Sequence, residues 1–472
     1  MNALRRRATA VLGAVVLSLA PYAAGAQQGE PISPDLLVVG ATPAGIAAAL
    51  TAARDGESVI LTSATGDLGG TLTDAMMDQW DLNVRPDGTP LQGGIFAEIH
   101  ARLGDVFTPP VAERTFAGML AAQRRVRVLY DEVPVSSTAS VVGAERRVDD
   151  VTFRNALTGK FTSLQAPAII DATDAGDVAA LAGARYDVGR QDTGIDEREQ
   201  AVTEMFTVAG VDWATLGASY DPARFGYGGV VGNRAWGYSR LLARYRPGAG
   251  NIVVRDLNLG LRPDGSVSVN AVDVCGIEGL DPRELKIAKR QTEREAPRLL
   301  NFLRARVPGF ADARVGSFAP EVYVRETRHF AGLERLTTQD ILAGRIPADS
   351  IGLASYPIDL HPVDPSDEPA FATRRHMYGI PFGALIPSGF TNMLLAGPAI
   401  CASHVASGSA RTIPTTIEEG EADGVASVLA RASGLNFIEF AAQPRRLMML
   451  SRLALRDNEI ATGGVAVRTD HS

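Results

Sequence analysis

The chain has only two cysteines in 472 residues, Cys275 and Cys401, and no C-x-x-C spacing. That excludes a disulfide-built scaffold and a local dithiol redox pair, so stability must come from packing. Six histidines are dispersed without any recurring ligand spacing, and no metal site is expected from them. No G-x-S-x-G stands on a strand-to-helix turn, which removes the nucleophile elbow of serine hydrolysis. Net charge is −8, with Lys and Arg scattered, so no basic stripe meets a phosphate backbone and nucleic acid is not an expected partner. Beyond residue 26 no apolar run approaches the roughly 20 residues of a membrane span. Internal repeats and low-complexity linkers are also missing.

What is present suits a large globular protein. With 46% hydrophobic residues and a mean hydropathy of +0.03, the chain can fill one to three domain cores. Arg5, Arg6 and Arg7, the apolar stretch "ATAVLGAVVLSLA", and Ala24-Gly25-Ala26 before Gln27 make up a signal peptide over residues 1–26. The expected product is exported, periplasmic or secreted, and begins at Gln27. The paired arginines leave Sec and twin-arginine export both open.

After residue 34 the pattern alternates between strand and helix. The runs Leu36–Val39 and Ser58–Leu61 flank the Ala-rich "AGIAAALTAARDG", a βαβ unit. A further strand is expected from Val126, and strands flank a Thr158-Gly159-Lys160 turn before "IIDAT". Residues 34–189 therefore form the first part of a dinucleotide-type domain, with a mostly helical insertion at about 85–125. Prolines and glycines punctuate short strands across 190–385, with one clear helix in "DPRELKIAKRQTEREAPRLLNFLRARV". The dinucleotide pattern resumes over 386–435, and 436–472 forms a helical tail.

The stretch "LLVVGATPAGIAAAL" nearly completes a dinucleotide fingerprint. Gly40 and Gly45 are in place, but Thr42 stands where a third glycine would let a pyrophosphate approach bare backbone at a helix N-terminus. Ser63 occupies the end of the second strand, where an acidic residue would hold ribose hydroxyls. Read alone, the segment is either a nucleotide site with a substituted middle or an ordinary tight βα turn.

Five further segments occur in one order: "GDLGGTLTDA", "IIDATDAGDVAALAG", "VRETRHFAGLERLTTQDILAGR", "IGLASYPIDLH" and "NMLLAGPAICASHVASGSARTIPTTIEEGEADG". Together, over roughly residues 35–435, they resemble the FAD-dependent oxidoreductase family within the glutathione-reductase-like flavoprotein superfamily. The resemblance implies an α/β fold: a discontinuous Rossmann-like FAD-binding domain with an inserted α+β substrate domain. It implies FAD as cofactor, with Gly40, Thr42, Pro43, Ala44 and Gly45 in the pyrophosphate turn and Ser63 nearby. Gly69, Gly70 and Thr71 would pass along the pyrophosphate and flavin, and Asp171, Ala172 and Thr173 would follow the returning strand. Asp174 replaces the glycine usual there. Gly397 and Pro398 would turn at the ribityl arm. Ser409, Arg411 and Pro414 match a Ser-x-Arg-x-x-Pro pattern, and Gly420 and Gly424 would let their helix approach the flavin.

Three polar groups compete for substrate chemistry. His361 resembles a position at the mouth of the flavin pocket, and His404 lies in the segment implied to touch the flavin. Arg325, Glu326 and Arg328 form a charged knot able to bind a carboxylate or to pair internally. The expected reaction is hydride transfer from a small organic substrate to flavin. No second G-x-G-x-x-G unit follows, which favours oxygen, a quinone or a soluble carrier as the unknown electron acceptor. Two alternatives stand beside this reading: a binding protein whose FAD site has been lost, and an FAD-containing isomerase or lyase.

Overall fold

The computed structural model describes residues 33–367, 370–371 and 376–455. The signal segment 1–26 and the end of the tail, 456–472, lie outside the described residues. Residues from Pro34 onward form one compact unit.

A five-stranded parallel sheet organises the site. Its order is Met393–Leu395, Ala168–Asp171, Leu36–Val39, Val59–Thr62, Val126–Leu129, and every neighbouring pair runs parallel. Leu36–Val39 takes the centre because all four side chains are apolar and buried, as a strand covered on both faces requires. Pro43 starts the following helix, Pro43–Arg54, where its missing N–H leaves no bond unmade. Eleven of its residues, Pro43 to Ala53, are buried, and small side chains let it pack between the sheet and the long helix Ile413–Ser433.

The insertion contains the helices Gly94–Leu103 and Pro109–Ala121. Residues 132–164 make an antiparallel three-stranded sheet, Glu132–Val142, Glu145–Asn155 and Phe161–Leu164, turning at the positive-φ glycines Gly143 and Gly159. A six-stranded antiparallel sheet spans 206–318, covered by the helix Pro282–Arg304 with Asp281 as its N-cap.

Buried side chains fall into two main clusters. One holds the parallel sheet and its helices; the other holds residues from Val202 to Val322. Side chains from Phe330 to Leu385, which sequence pattern groups with the 190–385 segment, pack into the first cluster. The strands Ser350–Ala354 and Tyr378–Pro381 pair with each other and lie against the parallel-sheet core, so their hydrophobic faces have no partner in the second cluster. A small third cluster, with Met76, Met205 and Tyr323, joins the two regions. Among the described residues no helix is long and apolar enough to cross a membrane.

Candidate cofactor and substrate site

The turn after the central strand is built by close backbone contact. Gly40 has φ +103°, and a Cβ there would stand 2.6 Å from the Ala172 carbonyl oxygen. A Cβ on Gly45 would stand 1.9 Å from the Gly40 carbonyl oxygen. Thr42 caps the helix by accepting from Gly45 N–H (3.2 Å) and donates its hydroxyl proton to the Ala172 carbonyl (2.9 Å). Thr42 therefore fastens the turn to the returning strand. Its one O–H is directed to the Ala172 carbonyl.

The other nucleotide-side residues sort in the same way. Gly69 N–H donates to the Ala41 carbonyl (2.8 Å), bringing Gly70 against Thr42. Thr71 donates to Asp174 (3.1 Å). Ser63 is buried and donates within its own loop, to the Asp67 carbonyl. Asp171, buried, accepts from Thr173 N–H and Oγ1 and from Ala179 N–H, and so closes the next turn. Burial pushes its pKa up to about 6. Asp174 avoids positive φ, which Gly176 adopts two residues on, so the substituted glycine costs no backbone strain. The cleft walls, though they leave the Asp174 carboxylate touching water, push its pKa up to about 6.

At the far end of the chain Gly397 has φ +107° and donates its N–H to buried Glu419 (3.0 Å). Pro414 opens the Ile413–Ser433 helix. Cβ atoms on Gly420 and Gly424 would meet the Ala44 carbonyl oxygen at 2.0 Å and that of Ala48 at 2.7 Å. These glycines let two helices touch along their backbones. Ser409 is fully buried between the Tyr378 hydroxyl (2.7 Å) and the Tyr356 carbonyl (2.5 Å), so it positions its neighbours and has no face left for a ligand.

The substrate-side candidates resolve into two assemblies. The first is a closed circuit. Arg411 donates Nη1 to the Tyr323 hydroxyl (2.9 Å) and Nη2 to the Asp359 carbonyl (3.2 Å). His361 lies between Asp359 (3.6 Å from Nε2) and Asp273 (2.9 Å from Nδ1). Arg325 reaches Asp273 at 3.5 Å, and its guanidinium lies 4.8 Å from the Tyr323 ring centroid. Burial and Arg325 oppose protonation of His361, but Asp273 and Asp359 outweigh them and its pKa is raised. Burial raises the Asp273 carboxyl, yet His361 and Arg325 prevail and bring it down to about 2.

The second assembly centres on Glu326, whose Oε1 accepts from His329 Nε2 (2.7 Å) and His404 Nδ1 (2.6 Å). Its Oε2 accepts from Gln200 N–H (3.0 Å), while the Gln200 side chain accepts from His361 N–H (3.0 Å). The triad of ligand-type groups is compact and buried. Its contacts have hydrogen-bond lengths; ligands of one tetrahedral metal stand roughly 3.3 Å apart. Arg328 turns away to Asp177 and the Ala175 carbonyl (both 2.9 Å). The charged knot thus pairs outward, residue by residue, and its members do not pair with one another. Both cysteines are free and buried, and burial pushes each thiol up to about 12.

Two adjoining cavities share Thr71, Asp174, Val324 and Pro398. The narrow one, about 20 Å³, lies at the Gly40 turn against Thr42, Ala44, Tyr323 and Arg411. The wider, about 240 Å³, is bounded by Arg325, Glu326, Thr327 and Asp177. His361 and His404 border neither: His404 bonds Glu326, which lines the wider one, and His361 is separated from Arg325 by Asp273.

A strand, glycine turn and buried helix N-terminus in a parallel sheet, opening on a polar cleft, define a dinucleotide-binding α/β protein. The model of the family described as FAD dependent oxidoreductase matches residues 35–443, and the chain belongs to that family. No curated protein matches it. Similar solved structures include p-nitrophenol 4-monooxygenase from Pseudomonas putida DLL-E4 (13% identity, covering 91% of this chain and 88% of that one, TM-score 0.45). A flavoprotein/dehydrogenase from Cytophaga hutchinsonii is 14% identical (92% and 96% covered, TM-score 0.42). A geranylgeranyl bacteriochlorophyll reductase-like protein from Thermoplasma acidophilum is 14% identical (91% and 87% covered, TM-score 0.41).

The cofactor is FAD, and the residues present suit it. The Gly40 turn brings the helix N-terminus to the edge of the narrow cavity, and Arg411, buried beside that cavity, keeps Nε without a partner, a donor that an acceptor-rich group would satisfy.

Sequence reading overlooked Asp273, Asp359 and Tyr323. Each left a signal: an acid inside the apolar "AVDVC", and the two-residue spacings Asp359/His361 and Tyr323/Arg325, which place side chains on one face of an extended segment.

Proposed function

We propose that this protein oxidises a small organic substrate by hydride transfer to FAD, with His361 receiving the proton released at the same time. The substrate loses a C–H bond's hydrogen with its electron pair and one O–H or N–H proton. FAD, when bound, supplies the two-electron acceptor. A second acceptor, oxygen, a quinone or a soluble carrier, must then take those electrons. The observation carrying this reading is the His361 position between two carboxylates that hold its ring in place and favour its protonated form. Arg411 and Arg325 set the surrounding charge, while His404 is a positioning residue that orients Glu326. The glutathione-reductase-like superfamily, export after cleavage at residue 26, and assignment of the part of 190–385 that packs in the second cluster, Val202 to Val322, as the substrate domain are parts of the same proposal.

The first test is the visible spectrum of purified protein, where absent flavin bands would favour a binding protein. Anaerobic mixing with candidate substrates then separates an oxidoreductase, which bleaches the flavin, from an isomerase or lyase. His361→Gln should slow bleaching at least tenfold and remove the neutral-range limb of its pH profile. An unchanged rate and profile would reject His361 as the base.

A further inference from the structure

Arg325 is 1% exposed and lines the wider cavity, yet its guanidinium is only half used. Nη1 donates to the Ala201 carbonyl (2.8 Å) and to Thr203 Oγ1 (2.9 Å). Nε and Nη2 have no hydrogen-bond partner. These two nitrogens form one edge of the guanidinium, with parallel N–H bonds that match the two oxygens of a carboxylate. The nearest acid, Asp273, lies 3.5 Å from Nη2, within charge contact but beyond a good hydrogen bond, and its Oδ1 already accepts from Thr203 (2.8 Å).

An unmet donor edge on a buried cation is costly, and a fold retains one where something else completes it. Two of the other three charged groups at this cavity are answered inside the protein. Asp177 is held by Arg328, and Glu326 by two imidazoles and a backbone N–H. The acid left without a cation is Asp174, which bonds Thr71 at the opposite wall. Arg325 also shares Asp273 with His361, so a ligand on its unpartnered edge would have Asp273 between it and the proposed base.

We infer that the substrate is a small organic acid whose carboxylate is received in bidentate fashion by Nε and Nη2 of Arg325. The inference rests on the proposed function and deepens it. A cavity of about 240 Å³ suits an acid of modest size.

The test uses benzoate and benzamide, nearly equal in shape and different in charge, titrated calorimetrically into the protein as purified. Benzoate should bind at least tenfold more tightly than benzamide. Arg325→Lys keeps the charge but loses the fork, and should remove most of that ratio. Equal affinities, no binding of benzoate, or a ratio that survives in Arg325→Lys would each overturn the inference. If the variant does not fold, the wild-type ratio decides alone. Missing flavin absorbance would sink the proposed function but leave this ratio readable, and a normal flavin spectrum with no ratio would sink only the carboxylate.

Discussion

Gly45 and Gly118 are both helical glycines, and alanine should act on them in opposite directions. At Gly118, exposed in Pro109–Ala121, an added Cβ meets nothing within 4 Å. Replacing glycine there removes the entropy cost of ordering it and should stabilise by about 0.5–1 kcal/mol. At Gly45 the same methyl would lie 1.9 Å from the Gly40 carbonyl oxygen and 3.0 Å from Ala172 Cβ. Backbone carbonyls cannot swing aside like a flexible side chain, so the turn must open by on the order of 1 Å, an overpacking cost of about 1–3 kcal/mol. The variants should therefore differ by roughly 1.5–4 kcal/mol. At about 2 °C per kcal/mol, the low end expected for a long chain, their thermal midpoints should separate by roughly 3–8 °C. Because the opened turn is the proposed pyrophosphate seat, Gly45→Ala should also lose FAD on gel filtration while Gly118→Ala keeps it. Scanning calorimetry and the flavin-to-protein absorbance ratio read both effects. If Gly45→Ala melts with Gly118→Ala and retains full flavin, the turn is not the tight nucleotide seat described above.

Thr42→Val should destabilise by about 1–3 kcal/mol, since it deletes a helix cap and leaves the Ala172 carbonyl unpaired; Thr42→Gly, although it completes the glycine pattern, should lose the same two bonds. Chemical unfolding of both variants decides. Asp174→Asn should tighten FAD binding at pH 8 and make little difference at pH 5, where the wild-type carboxyl, with its pKa raised to about 6, is already neutral; apo-protein titrations at the two pH values would show it. His361 has a folded pKa above its ordinary value near 6.5, so its ion pairing stabilises fully below that value and fades as pH rises through the folded pKa. The thermal midpoint of wild type should fall more than that of His361→Gln between pH 6 and pH 9, and parallel curves would contradict the pairing. Intact mass of protein from an exported fraction should correspond to a chain starting at Gln27, and retention of Met1 would reject the cleavage.

The βαβ unit and the Pro282–Arg304 helix were legible because their signals are local: apolar runs of strand length, a proline at a helix start, a capping Asp281. The site was legible only as a set of members. Sequence order did not reveal that Gly420 and Gly424 lie against Ala44 and Ala48 of the helix opposite, since a glycine that admits a ligand and one that admits a backbone look alike in sequence. Arg325, Glu326 and Arg328 are nearly consecutive, yet each finds its partner in a different distant segment. Pairing across the fold depends on which face each residue presents, and that follows from the bridge between Tyr323 and Thr203, a contact no local pattern announces.

The backbone contact of Gly420 and Gly424 with Ala44 and Ala48 also governs when this molecule can exist during its own synthesis. The second helix of that contact and the edge strand Met393–Leu395 emerge late, whereas the helix they cover is among the first segments made. At about 5–20 residues per second, the early strand and Ala-rich helix wait on the order of 20–80 s for their cover. During that interval the helix has its sheet-side neighbours but lacks the cover that Ile413–Ser433 supplies on its other face. Loop closure across so long a separation slows the final docking, which cannot be completed before residue 433 has been made.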